Sequence, residues 1–291
     1  MKFLDFFNNE KFIILDGAMG TELERRGSFD KCVSNLTHPE IVEAIHRDYR
    51  NSGSKCAIAN TFSMSRIYIE THNIKVDVEE VNRAGVKLAR NAVSDEGYVL
   101  GDFGSTGGML EPYGTYKEKD FYETFKEQAS ILSSSGVDGF IIETMFDIRE
   151  ALCALRACRD VSGIPIIVSM AFQTNKNGGR TMMGNSAEEC AIRLTEEGAD
   201  AVGANCGDVG PGEMAEIVSV MRGSTTLPIA AQPNAGKPQV KGEKVFYMDA
   251  ELYAKQTLEC YKSGSTVIGG CCGTTPEHIK ILSELIRKDQ E

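Results

Sequence analysis

Thr266-Val-Ile-Gly-Gly-Cys271-Cys272-Gly-Thr-Thr-Pro276-Glu-His278-Ile279 is the stretch from which the rest of the chain is read. Thr266 to Ile268 is a β-branched run, the composition of a short buried strand. Two glycines, two adjacent cysteines and a polar turn follow, with Pro276 at the first position of a last helix. Two soft sulphur ligands therefore stand where a strand hands over to a helix. Such a place is poor for storing inert cysteines and good for holding a metal.

Working outward, seven more apolar runs have strand character: Phe12–Leu15, Cys56–Ala59, Tyr98–Gly101, Gly139–Ile142, Ile164–Met170, Ala199–Ala204 and Leu227–Ala231. Most lead through a polar or glycine-bearing turn into an amphipathic pattern. Ile41-Val42-x-x-Ile45-His-x-x-Tyr49 and Phe121 to Leu132 repeat apolar positions at helical spacing, as do Ala151–Ala157, Ala187–Leu194, Met214–Met221 and Leu252–Tyr261. Ser186-Ala-Glu-Glu189 has the form of a capping box. Eight strand–helix units predict an α/β chain folded as a single-domain (β/α)8 TIM barrel spanning 1–291, with no linker or charge run to divide it. Two longer stretches, Phe172–Asn185 and Pro233–Phe246, read as irregular loops over the mouth.

Composition narrows the function. The formal net charge of -11 argues against nucleic acid or an anionic membrane as partner, and no apolar run has the length of a membrane span. The first ten residues, broken by Asp5 and Asn8, do not read as a signal peptide. Nine cysteines, an odd count, fit a reducing cytoplasm with free thiols or metal ligands. The four histidines are too few and too scattered for a histidine-rich metal site.

In a barrel of this kind, chemistry collects at the C-terminal ends of the strands. Cys206 ends the sixth run, and Cys271 and Cys272 end the eighth. Three thiolates suit zinc with a fourth position open to a substrate thiol; the competing reading is three small buried hydrophobes. Cys32, Cys56, Cys153, Cys158, Cys190 and Cys260 lie in other contexts and read as inert. Asp16-Gly17-Ala18-Met19-Gly20-Thr21 offers backbone N–H groups to an anion and a carboxylate to a cation, which suits a zwitterion, or else it is a structural turn. Glu143, ending Phe140-Ile-Ile, needs a cation, either a substrate ammonium or a structural partner such as Arg149. Gln232-Pro-Asn234 sets an amide beside the mouth or makes an Asn-stabilised turn. The Gly178–Asn185 loop reads as a cover or as mobile chain. Phe121, Tyr113, Tyr116 and Tyr122 are pocket-wall or helix-packing residues.

Asp16-Gly-Ala-Met-Gly-Thr, Asn60-Thr-Phe, Arg180-Thr-x-x-Gly184, Asn205-Cys206, Pro233-Asn-Ala-Gly236 and Gly269-Gly-Cys-Cys-Gly-Thr-Thr-Pro-Glu-His-Ile279 together resemble the homocysteine S-methyltransferase family. The resemblance is closest to the homocysteine-binding module of the cobalamin-dependent methionine synthases, and it runs in order from about Phe12 to Ile286. It implies zinc on Cys206, Cys271 and Cys272, with homocysteine held as the zinc-bound thiolate and methylated to methionine. It also implies that the Asp16 loop takes the amino-acid end, with amides around Ala18–Gly20 on the carboxylate and Asp16 and Glu143 on the ammonium. Asn60 is carried over as a substrate-side residue. The family's asparagine matching Asn234 approaches zinc when the thiol is absent. No corrinoid, folate or reactivation module lies within the 291 residues. The methyl group is therefore expected on a separate methylcobalamin-bearing protein, with folate chemistry in trans. S-adenosylmethionine, S-methylmethionine or a betaine are the alternative donors. The lack of any Trp counts against a cage for a quaternary ammonium. A non-catalytic homocysteine-binding subunit is the remaining alternative.

Overall fold

The computed structural model describes residues 3–94, 97–241 and 244–290. All eight expected strands are present: β1 (Ile13–Ile14), β2 (Cys56–Ile58), β3 (Tyr98–Phe103), β4 (Gly139–Met145), β5 (Ile166–Met170), β6 (Ala201–Asn205), β7 (Ile229–Gln232) and β8 (Val267–Ile268). They form one eight-stranded parallel sheet in sequential order, with β1 pairing β8 through Ile13↔Val267 and Ile14↔Ile268. A single Leu15↔Cys56 bridge joins β1 to β2 and closes the ring. The short β-branched runs can do this because helices cover their outer faces: Val99, Phe103, Phe140, Ile142, Val168 and Val202 pack outward into the main core. The chain is a single-domain (β/α)8 barrel.

Alternate residues point inward. Leu15, Cys56, Leu100, Ile141, Ile167, Ala201, Ala230 and Val267 fill the barrel interior together with Phe3, Phe6 and Phe7. The three phenylalanines belong to a helix, Phe3–Asn9, whose rings are buried against the lower end of the barrel. The helix Phe3–Asn9 is thus a plug, a role that the sequence does not announce. Phe7→Ala is expected to lower unfolding free energy by about 3 kcal/mol, the usual cost of emptying a buried aromatic site. Denaturant unfolding measures it, and an unchanged midpoint would show that the helix does not seal the barrel.

Two ion pairs repeat with the β/α unit at the strand entries. Asp138 Oδ2 accepts from Val99 N at 2.8 Å and Arg90 Nη2 at 2.5 Å. Asp200 Oδ2 accepts from Ile166 N at 2.8 Å and Arg159 Nη2 at 2.6 Å. Each ties a helix end to the start of the next strand, on the face that barrels reserve for stability. The opposite face carries the two stretches expected to be irregular, and both fold back as small antiparallel hairpins, Phe172–Thr174 with Arg180–Thr181 and Gln239–Lys241 with Lys244–Phe246. Asn177, Gly178 and Gly179 at successive positive φ make the reversal in the first. Ser186 caps its helix by accepting from Glu189 N at 3.0 Å, and Pro276 opens the last helix, Pro276–Asp289.

Candidate active site

Cys206, Cys271 and Cys272 converge. Their three sulphurs lie within 4.8 Å of one another, and Cys206 Sγ is 4.0 Å from Cys272 Sγ. The backbone puts them there. Cys206 N donates to Gln232 O at 3.2 Å as β6 ends, and Cys271 N donates to Pro233 O at 3.0 Å as the chain leaves β8. Sulphurs bound tetrahedrally to one zinc at about 2.3 Å would lie about 3.8 Å apart, so the trio fits that ion with little movement. S–H groups of Cys271 and then Cys272 stabilise a thiolate on Cys206 and draw its pKa far down, while that same negative charge holds Cys271 and Cys272 up. The six other cysteines are buried and have no part in the cluster. Asn234 approaches from the side: its Nδ2 donates to Gly207 O at 3.0 Å, and its buried Oδ1 has no partner among the described residues.

Beside the sulphurs lie carboxyl groups. Asp16, buried at the end of β1, accepts from Ile58 N through Oδ2 at 2.8 Å and leaves Oδ1 without a partner. Burial, opposed by that hydrogen bond and reinforced by Glu143, raises its pKa well above the ordinary carboxylate value. Glu143 accepts from Gln232 Nε2 at 3.4 Å, and burial followed by the Cys206 charge raises it to about 7. Arg149 is not its partner, for it pairs with Glu118 at 3.0 Å and donates to Glu111 O at 2.9 Å. Gln232 therefore links the two halves of the site, with its side chain on Glu143 and its carbonyl on Cys206 N.

The Asp16–Thr21 loop is pinned to the turn after β8. Ala18 N donates to Thr274 Oγ1 at 3.0 Å, and Tyr49 Oη donates to Ala18 O at 2.9 Å. A Cβ on Gly17 would come within 2.6 Å of Thr274 Oγ1 and 2.8 Å of the Tyr49 ring, so only glycine allows the approach. Ala18 N is thus used internally, whereas the Met19 and Gly20 N–H groups, at the start of the helix Gly20–Arg25, have no partner among the described residues. Asn60, at the end of β2, uses its side-chain amide within the protein, Nδ2 donating to Asn35 Oδ1 at 3.0 Å and Lys31 O at 3.3 Å. Tyr116 and Phe121 pack with tilted rings 5.6 Å apart, Tyr122 hydrogen-bonds Asp160, and Tyr113 is exposed. Helix packing accounts for the first two.

Three residues enter to which the sequence gives no role of their own, although Asn205 and Asp102 stand at strand ends. His46 is fully buried with Nδ1 4.0 Å from Asp16 Oδ2, neither ring nitrogen has a hydrogen-bond partner, and burial lowers its pKa to about 4, so the ring is neutral at pH 7. Asn205 donates to Thr144 Oγ1 at 2.7 Å and accepts from Thr144 N at 2.8 Å, holding Thr144 at φ +57° beside a register shift in β4. Asp102, inward on β3 and buried, has Oδ1 without a partner.

Glu143 makes stability depend on pH. A carboxyl whose pKa is higher in the folded than in the unfolded state contributes stability that is complete below the unfolded value and lost as pH rises through the folded one. With Glu143 raised from 4.5 to about 7, its share of the stability of chelator-treated protein is expected to fall between pH 5 and pH 8, while the lowered Cys206 thiol works in the opposite direction. Glu143 alone contributes on the order of 2 kcal/mol of that fall. Calorimetry in reductant reads it as the difference between wild type and Glu143→Gln: the variant should gain relative to wild type as pH rises from 5 to 8, and a difference that stays constant contradicts it.

Fold and site together define a barrel enzyme class in which strand-end cysteines gather at the mouth beside an acidic pocket. Homocysteine S-methyltransferase is the family whose pattern matches residues 13–286, and the chain belongs to that family of methyltransferases. It is 27% identical to the methionine synthase of Mycobacterium tuberculosis and 28% identical to that of Mycobacterium leprae, over 96% of this chain in each case. The match spans only 25% and 24% of those relatives, about a quarter of their length. Among solved structures, the metallated form of the homocysteine methyltransferase MmuM from Escherichia coli superposes with a TM-score of 0.80 at 21% identity, over 97% of this chain and 98% of that one. That likeness establishes the barrel fold.

Among the described residues no helix is long and apolar enough to cross a membrane.

Proposed function

We propose that the protein methylates homocysteine at sulphur to give methionine, with zinc on Cys206, Cys271 and Cys272 and the methyl group brought by a separate methyl-corrinoid protein. The observation that carries this reading is the junction at Gln232, which joins the three-sulphur cluster to Glu143, beside Asp16 with its unpartnered buried oxygen. A zinc ion bound there supplies a Lewis acid that keeps an acceptor thiol, ordinarily of pKa about 8.5, deprotonated at neutral pH.

The chain's own residues do the rest. Asp16 and Glu143 receive the substrate ammonium, and the free Met19 and Gly20 N–H groups receive its carboxylate. Ala18, fastened to Thr274, keeps that loop in register with Cys271 and Cys272. The substrate sulphur is thereby brought to the cysteine cluster with its lone pair toward the open mouth. There it forms the new S–C bond as the donor–methyl bond breaks and its electron pair leaves with the donor. Asn234 Oδ1 is the polar atom nearest in kind to a fourth ligand before substrate arrives.

Two observations favour a protein-borne donor. The relatives named methionine synthase are about four times longer than the segment matched here. Exposed Phe29, Met109, Tyr113, Met182 and Met183 project from segments that leave the C-terminal sides of β1, β3 and β5. The test offers metal-loaded protein and homocysteine with methylcobalamin, a methyl-corrinoid protein, S-adenosylmethionine, S-methylmethionine or a betaine, and measures methionine by mass spectrometry. Methionine from the corrinoid donors supports the proposal, and methionine from a sulfonium or betaine alone replaces the donor. Binding of homocysteine without turnover from any donor makes the chain a binding subunit.

A further inference from the structure

Three carboxyl groups, where two are needed for the zwitterion reading, face the same mouth: Asp16 and Asp102 are buried and Glu143 is partly buried. Asp102 lies on the inward side of β3 one layer above Leu100, and Leu100 pairs with Ile58, whose N–H holds Asp16. On its other side Asp102 pairs with Ile141, and Glu143 is the next inward residue along β4. The side chain is 4% exposed, and its Oδ1, like Asp16 Oδ1, has no partner. No lysine or arginine pairs with any of the three among the described residues. Mutual repulsion adds to burial in raising Asp102, from Glu143 first and then Asp16, so the three groups share one electrostatic environment. Their direction is not incidental: Asp102 N donates to Thr61 Oγ1 at 3.1 Å and Thr61 Oγ1 donates to Asp102 O at 2.9 Å, which fixes the backbone that aims the carboxyl inward.

A buried, unpaired carboxyl is costly, and three facing one another are more so. The arrangement is balanced by a ligand with one positive charge and three N–H donors, which is a primary ammonium. We propose that Asp102 is a specificity-determining residue that takes the third N–H of the substrate ammonium, with Asp16 and Glu143 taking the other two. The acceptor is accordingly a thiol with an unsubstituted primary amine, and N-substituted or amine-free thiols are rejected. This inference rests on the proposed homocysteine reading of the same site.

Calorimetric titration of metal-loaded protein tests it, with L-homocysteine, N-methylhomocysteine and 4-mercaptobutanoate, the last being homocysteine without its amino group. Asp102→Asn keeps the size of the side chain and leaves the backbone bonds to Thr61 in place. It is expected to weaken homocysteine binding by about tenfold to a hundredfold, the worth of a charge-assisted hydrogen bond. The same change should leave 4-mercaptobutanoate binding unchanged or tighter, because a buried negative charge has been removed from beside an anion. Opposite signs for the two ligands support the proposal. Equal losses, or homocysteine binding that does not change, overturn it. Should Asp102→Asn fail to fold, the wild type still decides: it must bind homocysteine at least about tenfold more tightly than N-methylhomocysteine, and equal affinities overturn the inference. Wild type that binds none of the thiols instead overturns the homocysteine reading itself.

Discussion

Serine in place of Cys206, Cys271 or Cys272 is expected to take metal content from about one zinc per chain to below about a tenth, and methyl transfer to background, a fall of at least about a thousandfold. The reasoning is geometric. Each cysteine is one corner of a cluster whose sulphurs lie within 4.8 Å, and no histidine or carboxylate among the described residues joins that group to replace a lost corner. A hydroxyl is a far poorer ligand than a thiolate and does not ionise near neutral pH, so the substituted site offers two thiolates and an alcohol. Elemental analysis of purified protein, with homocysteine turnover alongside, makes the measurement. Cys153→Ser is the control, since Cys153 is buried in the helix Ile148–Val161 and has no part in the cluster. Full metal content in the Cys206 or Cys272 variant would refute the metal centre. Full content with no turnover would instead leave the metal and displace it from the chemistry.

Much of this was legible because strand ends are legible. A short apolar run that gives way to polar residues or glycine announces its own C-terminal end, and Asp16, Cys206, Cys271 and Cys272 stand just past one; Glu143 reads the same way after Phe140-Ile-Ile, though β4 continues to Met145. The sequence could not say which of these side chains meet, since that requires β6, β7 and β8 to be neighbours. Asp102 stands at the end of the third run in the sequence too, but it reads there as the start of a turn and takes no role, whereas β3 continues to Phe103 and carries it inward. An inward carboxyl inside a strand carries no pattern that separates it from one in a loop. His46 was masked differently, by its place on an amphipathic helix where the apolar spacing of Ile45 and Tyr49 explains the segment without it. The 16-residue helix Val78–Val93 is absent from the stretches read at helical spacing, although Val78, Val81, Ala89 and Val93 line its buried face. The plug helix goes unannounced, since seven residues with Asp5, Asn8 and Asn9 among them carry too little periodicity to mark a helix.

Asn205→Ala is expected to cost about 3 kcal/mol of stability and to weaken zinc binding by about tenfold to a hundredfold, though Asn205 has no part in the sulphur cluster. Asn205 is fully buried, and its amide makes two short bonds to a single residue, Thr144. Thr144 and Cys206 both occupy left-handed backbone, at φ +57° and +51°, a conformation that a β-branched threonine adopts only when its surroundings hold it there. Removing the amide leaves Thr144 N buried without an acceptor and frees the bulge that aims Glu143 into the mouth. Because Asn205 also precedes Cys206 in the chain, relaxation there moves a proposed metal ligand as well as a carboxyl. The two effects separate experimentally. Denaturant unfolding of chelator-treated protein reports the stability term alone, and competition with a chromophoric chelator reports the zinc term. Asn205→Asp restores the acceptor for Thr144 N but not the donor to its hydroxyl, so it should recover part of both. A variant that loses stability while holding zinc as tightly as wild type would show that the Asn205–Thr144 clamp supports the barrel without setting the geometry of the cysteine cluster.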